Sequence, residues 1–312
     1  MFYFLRSILA ASVLCLSFSA LSAQGDSLLS DLENEQEQGT DYTSATFKST
    51  RIINAHTIEN VPGGVLDFRI SHRFGTLNSG AYNFYGLDDA YMRMAFEYGI
   101  TDWLMTGVGR SSNKFFDGFI KLKLLRQSSG QRNMRITLSY FASTAINALK
   151  WEDMGVGGRE NYFSSRLYYT HQLILGRKFS PGFSFQLMPT VVHRNLVKTR
   201  MDDNNVFAIG AAGRYKLTRS LALTGEYFYL LPGETAGNTT NSASIGLDIE
   251  TGGHVFSLHF SNSLSMIEKG FVTETTGNWL DGGIHFGFNI SRVFTIGGKS
   301  KEEKAPEGNE MW

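Results

Sequence analysis

The chain has 312 residues and a formal net charge of zero, with 29 basic and 29 acidic side chains. This balance gives no sign of a nucleic-acid partner. No stretch beyond the N-terminal region approaches 18 consecutive apolar residues, which excludes a helical membrane protein. The 33 glycines, 24 phenylalanines and 13 tyrosines beside only 5 prolines favour an all-β protein.

The N-terminus has the layout of a secretory signal peptide. One positive charge precedes an apolar run from Ser7 to Phe18, and small residues follow up to Ala23. We therefore predict a signal peptide over residues 1–23, cleaved near Ala23–Gln24. A transmembrane anchor is the alternative, for which the apolar run is short. Cys15, the one cysteine, would leave with the signal, so the exported fold would rely on packing and hydrogen bonds.

The remaining chain divides into three parts by composition. Residues 24–42 are polar and acidic, which predicts a flexible leader. Residues 297–312 form a charged C-terminal tail of similar character. Between them, residues 43–296 are predicted to form a single β domain.

Strict alternation of apolar and polar residues marks this domain. In residues 89–98, Ala90, Met92, Met94 and Phe96 share one face of a strand, and charged residues such as Arg93 share the other. We count about twelve such segments, which begin near residues 64, 88, 103, 115, 133, 161, 183, 206, 220, 241, 254 and 283.

The connections between these segments favour a membrane barrel over a soluble β-sandwich. Short turns alternate with long loops, as in barrels with short periplasmic turns and longer external loops. A charge that faces lipid near the bilayer midplane costs roughly 2–4 kcal/mol, so in a barrel the charged face must line the lumen. The predicted fold is an antiparallel up-and-down transmembrane β-barrel of about 12 strands (10–14) in the outer membrane of a Gram-negative cell. Alternation alone leaves the soluble periplasmic β protein open.

The charged face supplies the predicted lumen residues. They comprise ten basic and six acidic side chains, which predicts a mild preference for anions if the lumen is a pore. A network that fills and locks a narrow barrel is the equally weighted alternative. The predicted lumen residues are Asp67, Arg69, Arg73, Arg93, Glu97, Asp117, Lys121, Lys123, Arg135, Arg166, Arg194, Arg214, Lys216, Glu226, Asp248 and Glu250.

Several stretches resemble a known family. They are FKSTRIINAHTIE (47–59), VLDFRISHRFG (65–75), ENYFSSRLYYTHQLILGRKFS (160–180), DIETGGHVFSLHF (248–260), GFVTETTGNW (270–279) and IHFGFNISRVF (284–294). The chain is similar over about residues 43–296 to a group of outer-membrane β-barrel proteins of unassigned function, typical of Bacteroidetes-type bacteria. The resemblance implies a signal peptide, an exported location and a barrel, and it supplies no activity or catalytic residue.

One short motif raises the possibility of catalysis. His259-Phe260-Ser261-Asn262 is similar to the His-x-Ser-Asn string of outer-membrane phospholipases, whose histidine activates the serine. Phe256, Leu258 and Phe260 belong to the apolar set, so His259 and Ser261 should face the lumen, away from lipid. A third residue to orient the histidine is also missing from any recognisable motif.

These observations predict a passive role. We expect a pore for small solutes or a structural envelope component, with a barrel-embedded lipid hydrolase as the alternative from another class. The expected partners are outer-membrane lipid, the barrel-assembly machinery and possible small solutes, with no nucleic acid. No cofactor is predicted, and the seven histidines show no metal-ligand spacing.

Overall fold

The computed structural model describes residues 39–296 except 156, 198, 234, 236, 237, 252 and 253. The predicted signal peptide, most of the predicted leader and the predicted tail lie outside the described residues. The described chain forms two compact units, one of residues 39–43 and 127–135, the other of residues 44–126 and 136–296.

The smaller unit is a two-stranded sheet. Strand β1 (Thr40–Tyr42) pairs antiparallel with β6 (Ser128–Gly130). This differs from the prediction of a flexible leader up to residue 42, because the backbone of β1 finds hydrogen-bond partners in a segment far along the chain. A strand of three residues is too short for alternation of apolar and polar side chains to reveal it in the sequence.

The larger unit is a closed antiparallel barrel of twelve strands, as the alternation predicts. Consecutive barrel strands pair with each other, and the last closes on the first with Ser291 opposite Arg69. The strands are β2 (Val65–Thr76), β3 (Ala90–Gly99), β4 (Leu104–Ser111), β5 (Phe115–Leu125), β7 (Thr137–Asn147), β8 (Leu167–Lys178), β9 (Phe183–Arg194), β10 (Asn205–Lys216), β11 (Leu221–Leu230), β12 (Ser242–Thr251), β13 (His254–Ser261) and β14 (His285–Thr295).

Helical elements are few and short. One α-helix, Glu268–Thr273, lies between β13 and β14. Single turns of 3₁₀-helix span Leu77–Ser79, Ala81–Gly86, Glu152–Met154, Phe163–Arg166 and Trp279–Asp281. Within the described chain, none of these helices has the length and apolar character needed to span a bilayer.

Two strands begin later than the alternation predicts. The segment before β7 folds back on itself, because Ser128 and Met134 exchange backbone hydrogen bonds of 2.9 and 3.1 Å. A 3₁₀ turn, Phe163–Arg166, occupies the predicted beginning of β8. Alternation reads only side-chain polarity, so it cannot detect these local backbone bonds.

The two faces of the barrel strands differ as predicted. Phe96, Ile120 and Phe207 are about half exposed on the outer face, although all are large apolar side chains. Arg93, Glu97 and their neighbours on the inner face are almost fully buried. An apolar outer face over a polar inner face is the arrangement of a strand that contacts lipid on one side only.

The lumen is occupied by two segments of the chain that the alternation did not reveal. Residues 44–64, which we call the finger, precede β2, and Arg51–Ile58 are all buried. The helix Glu268–Thr273, which we call the loop helix, is also buried along its whole length. The core of the molecule is therefore inside the barrel, where these segments meet the inner face of the wall.

The finger is anchored where the short turns lie. Lys178, at the end of β8, donates to the carbonyl of Ser44, and Gly64 donates to Gly99 at the end of β3. A side chain at Gly99 would collide with the backbone of Pro62, so glycine allows the finger to lie against the wall there. We call this end of the barrel the short-turn mouth. The loop helix belongs to the long connection at the opposite end, the long-loop mouth.

Candidate functional site in the barrel lumen

The structure places most of the predicted lumen charges in one buried interior. Lys123 and Glu250 are partly buried near the short-turn mouth, with side-chain exposures of 16% and 17%. The buried members are Asp67, Arg69, Arg73, Arg93, Glu97, Asp117, Lys121, Arg194, Arg214, Glu226 and Asp248.

Three predicted lumen residues lie elsewhere. Arg135 is exposed and precedes β7, because the segment before it is used in local pairing. Arg166 belongs to the 3₁₀ turn before β8 and donates to the carbonyls of Asn147 and Leu149. Lys216 has the inward parity of Arg214 but is exposed at the last position of β10. The basic surplus of the lumen is therefore smaller than the sequence predicts.

The finger is a tight hairpin at its inner end. Thr57 N donates to Thr50 O at 2.8 Å, and Ile52 N donates to Ala55 O at 3.0 Å. The residues between them turn at Ile53 and Asn54, so the backbone groups of the tip point at the barrel wall. A short polar turn suits this position, because its unpaired backbone groups need partners inside the lumen.

One side of the lumen binds the finger through charges. Glu97 on β3 accepts from the Thr50 hydroxyl at 2.7 Å and from Arg51 Nε at 3.3 Å. Arg69 on β2 donates to the same hydroxyl at 2.9 Å and to Asp67 at 3.0 Å. Each of these charges is almost fully buried, so each depends on its partners for its stability.

The finger tip is held by a carboxylate on β11. Glu226 accepts from the backbone N–H groups of Asn54 and Ala55 and from the Asn54 side-chain amide, at distances of 2.7 to 3.1 Å. Arg73 on β2 donates to Asn54 Oδ1 at 2.7 Å, and Asn289 donates to Ile53 O at 2.8 Å. Every protein hydrogen bond that the Glu226 carboxylate receives within the described chain comes from the finger.

The opposite side of the lumen is mostly apolar, although Lys121 on β5 donates to Thr57 O at 3.1 Å and Gln186 on β9 donates to His56 O at 2.8 Å. The His56 ring lies 4.5 Å from Phe119 and 4.4 Å from Phe141, measured between ring centroids. The apolar cluster around them joins finger side chains to strands β4, β5 and β7–β11. It contains Phe47, Ile52, Ala55, Ile58, Val61, Met105, Phe119, Phe141, Ile174, Met188, Val192, Ala208, Ala212, Phe228, Phe271 and Val272.

The loop helix meets the finger in the middle of the lumen. Glu268 accepts from Arg51 at 3.1 Å, and its carboxylate lies 3.8 Å from the Nε2 atom of His56. Phe271 packs against Phe228 on β11 with ring centroids 5.1 Å apart. The finger and the loop helix thus extend into the lumen from its two mouths and contact each other through ionisable side chains.

Burial affects the protonation of both interior segments. Burial first, and then the positive charges of Arg51 and Lys121, hold the pKa of His56 well below its ordinary value. Burial raises the pKa of Glu268, and the nearby charge of Arg51 opposes that rise. His56 is therefore neutral in the closed lumen, and its two ring nitrogens receive no hydrogen bond from the described residues.

The structure places the two polar side chains of the His-x-Ser-Asn motif on the inner face of β13. Both His259 and Ser261 face the lumen and are buried, while Phe256, Leu258 and Phe260 lie on the outer face. Ser261 Oγ is bonded to the hydroxyl of Ser244 at 2.9 Å and accepts from Ser263 N at 3.1 Å. Among the described residues, no hydrogen bond joins the ring nitrogens of His259 to Ser261.

The part of the chain that the structure describes contains no cluster of three or more His, Cys, Asp or Glu side chains arranged to hold a metal ion. The seven histidines are dispersed instead. His56 and His259 are buried in the lumen, whereas His171 is exposed on the outer face and bonded to Tyr140.

The residues that sequence reasoning missed are those of the finger and the loop helix. Thr50, Arg51, Asn54 and His56 lie in the first stretch quoted for the family resemblance, and Glu268 lies beside a later one. One signal in the sequence could have indicated the finger. FKSTRIINAHTIE mixes charged and isoleucine side chains, but these do not alternate with the period of two that marks a strand. Such a segment is too apolar for a solvated leader and lacks the alternation of a wall strand.

The comparison with protein families gives one match. Residues 47–294 match the family described as "Membrane bound beta barrel domain (DUF5777)". The match begins inside the finger, so the finger is part of the family's domain. It confirms the family resemblance, while the bacterial group predicted as its origin stays a prediction.

Similar solved structures include porins. A NanC porin is 9% identical, with a TM-score of 0.45, and the match covers 74% of this chain and 98% of the porin. A KdgM porin is 9% identical, with a TM-score of 0.43 and coverages of 74% and 99%. An outer-membrane channel from Pseudomonas putida F1 is 13% identical, with a TM-score of 0.40 and coverages of 76% and 98%. All three TM-scores lie below 0.5, so the activities of these proteins do not transfer to this chain. No curated protein matches the sequence significantly.

Proposed function

Because the chain belongs to the family of membrane-bound β-barrel domains, we propose that it is a non-catalytic outer-membrane barrel, a conduit for small solutes that the finger keeps closed. The observation that carries this proposal is the set of finger contacts made by Glu226, Glu97 and Arg73.

The chemistry of these contacts favours a removable closure. A lumen that only had to be filled could be packed with apolar side chains, as most of its other side is. Buried charges give up their hydration, and replacing them with well-packed apolar residues is often neutral or stabilising. In an open lumen, however, water would solvate Glu226 and Arg73 when the finger leaves. Charged contacts therefore lower the cost of opening relative to a wholly apolar core.

A permanent structural plug is the second candidate. The apolar cluster supports it, because this cluster joins the finger, the loop helix and the barrel wall in one continuous core. Under this alternative the protein is a structural envelope component, and the charges only fix the register of the finger. The two candidates differ in one respect, which is whether the intact barrel ever conducts.

Conductance in planar bilayers tests whether the finger closes the lumen. The full chain should show low conductance with brief openings, and a variant without residues 48–60 should show steady conductance. The control is a variant without residues 199–203, in the connection between β9 and β10, which should behave like the full chain. Heat-modifiable gel mobility would verify that each barrel is folded. A folded finger-deletion variant that does not conduct would refute the finger as the closing element.

The same deletion tests selectivity. Arg69, Arg73 and Arg93 would then line an aqueous lumen together with the carboxylates opposite them. The surplus of basic side chains predicts a mild preference for anions. A reversal potential that shows clear cation selectivity under a salt gradient would contradict this expectation.

Location and processing belong to the same proposal. We expect the mature chain to begin near Gln24 and to remain in outer-membrane fractions after a carbonate wash. N-terminal sequencing of the membrane-extracted protein would give the cleavage site. Recovery of the protein in the soluble periplasmic fraction would contradict the proposed location.

A further inference from the structure

A cavity of about 520 Å³ lies at the short-turn mouth, between the finger and the barrel wall. Its volume falls within the range of about 300–1,000 Å³ that is usual for small-molecule sites. Both legs of the finger line it, the first through Lys48–Thr50 and the second through Glu59–Pro62. The wall contributes Asp67 of β2 and Arg219 of the turn between β10 and β11.

Two hydrogen-bond acceptors in this cavity have unused capacity. Asp67 is 2% exposed, its Oδ2 atom accepts from Arg69, and the backbone of Arg292 also interacts with its carboxylate. Among the described residues, no hydrogen bond of ordinary geometry reaches Oδ1. The amide oxygen of Asn60 is buried and receives no hydrogen bond from the part of the chain that the structure describes, and its amide nitrogen donates to Asp102 O at 3.4 Å. A buried acceptor without a donor is unfavourable, and an ammonium group offers three donors.

The other two carboxylates of the cavity are already engaged. Glu59 accepts from the backbone N–H groups of Thr46 and Phe47, and Glu250 pairs with Lys48 at 3.2 Å and with Arg214. The acceptor capacity for a positively charged ligand group is therefore concentrated at Asp67 and Asn60.

The rim of the cavity carries a positive charge, which suits an anionic ligand group. Arg219 is exposed, and within the described residues it forms no ion pair. A guanidinium can bind a carboxylate through two parallel hydrogen bonds. The lining also includes the apolar side chains of Val61, Pro62 and Val255. The cavity thus presents acceptors, an apolar surface and a cation.

We propose that this cavity binds a small zwitterion of the amino acid or short-peptide class. Its ammonium group lies between Asp67 and Asn60, its carboxylate lies at Arg219, and its aliphatic part contacts the valines. The ligand touches both legs of the finger, so its binding stabilises the closed barrel. Binding does not require the lumen to open, so it stands or falls separately from the proposed conduit.

Three related probes test the assignment on the unmodified protein. Isothermal titration calorimetry of the detergent-solubilised barrel would use glycyl-L-leucine, its N-acetyl derivative and its C-terminal amide. The dipeptide should bind, the acetylated form should bind at least ten-fold more weakly, and the amide should bind a few-fold more weakly because Arg219 is exposed. Equal affinities for the three probes, or no heat of binding at millimolar concentration, would overturn the proposal.

Two variants sharpen the test. Asp67→Asn should lower the affinity for glycyl-L-leucine at least ten-fold and should reduce the penalty for acetylation. Arg219→Gln should remove the difference between the dipeptide and its amide. Asp153→Asn, an exposed substitution at the long-loop mouth, is the matched control and should change none of these values. Unchanged binding by both cavity variants would also overturn the proposal, and the three probes still decide it if Asp67→Asn fails to fold.

Discussion

On the side of β2, β3 and β11 the lumen binds the finger through Glu97, Arg73 and Glu226. On the side of β5, β7 and β8 it binds the finger mainly through Phe119, Phe141 and Ile174, and Lys121 adds a bond to the finger backbone. The polar side forms hydrogen bonds whose distances and angles are satisfied only when the finger occupies one location in the lumen. The apolar side gains free energy from buried area, which changes little with a small displacement. The polar side therefore fixes where the finger closes, and the apolar side supplies much of the stability of the filled barrel.

Removing the carboxylate at the finger tip should have the largest effect. Glu226→Ala leaves the donors of Asn54 and Ala55 without their charged acceptor, which should destabilise the closed state by about 3–4 kcal/mol. The measurement is the maleimide labelling rate of a reporter, Thr57→Cys, which is buried in the closed lumen. We expect labelling to rise by about two to three orders of magnitude.

Two controls define this result. Glu226→Gln keeps one acceptor oxygen and should give an intermediate rate, and Glu152→Ala on an exposed loop should leave the rate unchanged. Cys15 is the chain's only natural cysteine and lies in the predicted signal peptide, so labelling should report the introduced thiol. A Glu226→Ala barrel that labels as slowly as its parent would show that the polar side does not hold the finger.

Acid should open the lumen by protonating His56. An exposed histidine takes up a proton near pH 6.5, whereas burial keeps the pKa of His56 well below that value in the closed state. The closed state therefore loses stability as the pH falls below about 6.5. Glu268 acts in the opposite sense, because its raised pKa makes proton uptake favour the closed state.

The variant His56→Phe isolates the histidine contribution. It keeps a ring against Phe119 and Phe141 and removes the titrating group. Conductance of the unmodified barrel should rise between pH 7 and pH 5, and the variant should lack this rise. The same acid-induced rise in both proteins would assign the pH dependence to other groups.

A substitution on the apolar side should have the smallest effect on the finger. Ile174→Val removes one buried methylene group from the cluster and should cost about 0.5–1.5 kcal/mol. Labelling of the Thr57→Cys reporter should rise by about ten-fold at most. An increase as large as that of Glu226→Ala would abolish the distinction between the two sides of the lumen.

Much of the wall could be predicted from the sequence because lipid imposes a strict rule on it. A charge such as Arg93 cannot face hydrocarbon, so alternation reveals both the strands and their inward face. No such rule operates inside the lumen, where Ile52 packs on an apolar cluster and Arg51 beside it pairs with carboxylates. Periodicity could not locate the finger in the lumen, because the finger is surrounded by both polar and apolar side chains and shows no regular alternation.

The misplaced charges have the same origin. Arg135 has the inward parity of β7 but lies before that strand. Lys216 has the inward parity of β10 but lies at the exposed end of that strand. Parity gives the direction of a side chain only where the strand continues. Where hydrogen bonds within a connection end a strand, the alternation of side chains does not reveal the position of that end.

A reversible covalent lock on the finger tests the proposed closure most directly. Asn54 Nδ2 lies 3.2 Å from Ser244 Oγ, so the double variant Asn54→Cys, Ser244→Cys can join the tip to β12. Single-channel recordings would compare the oxidised and reduced forms, with each single-cysteine variant as a control. Openings that occur in the reduced form, disappear on oxidation and return on reduction are the predicted result. A barrel that stays closed in both forms, or conducts equally in both, would contradict a finger that opens and closes the lumen.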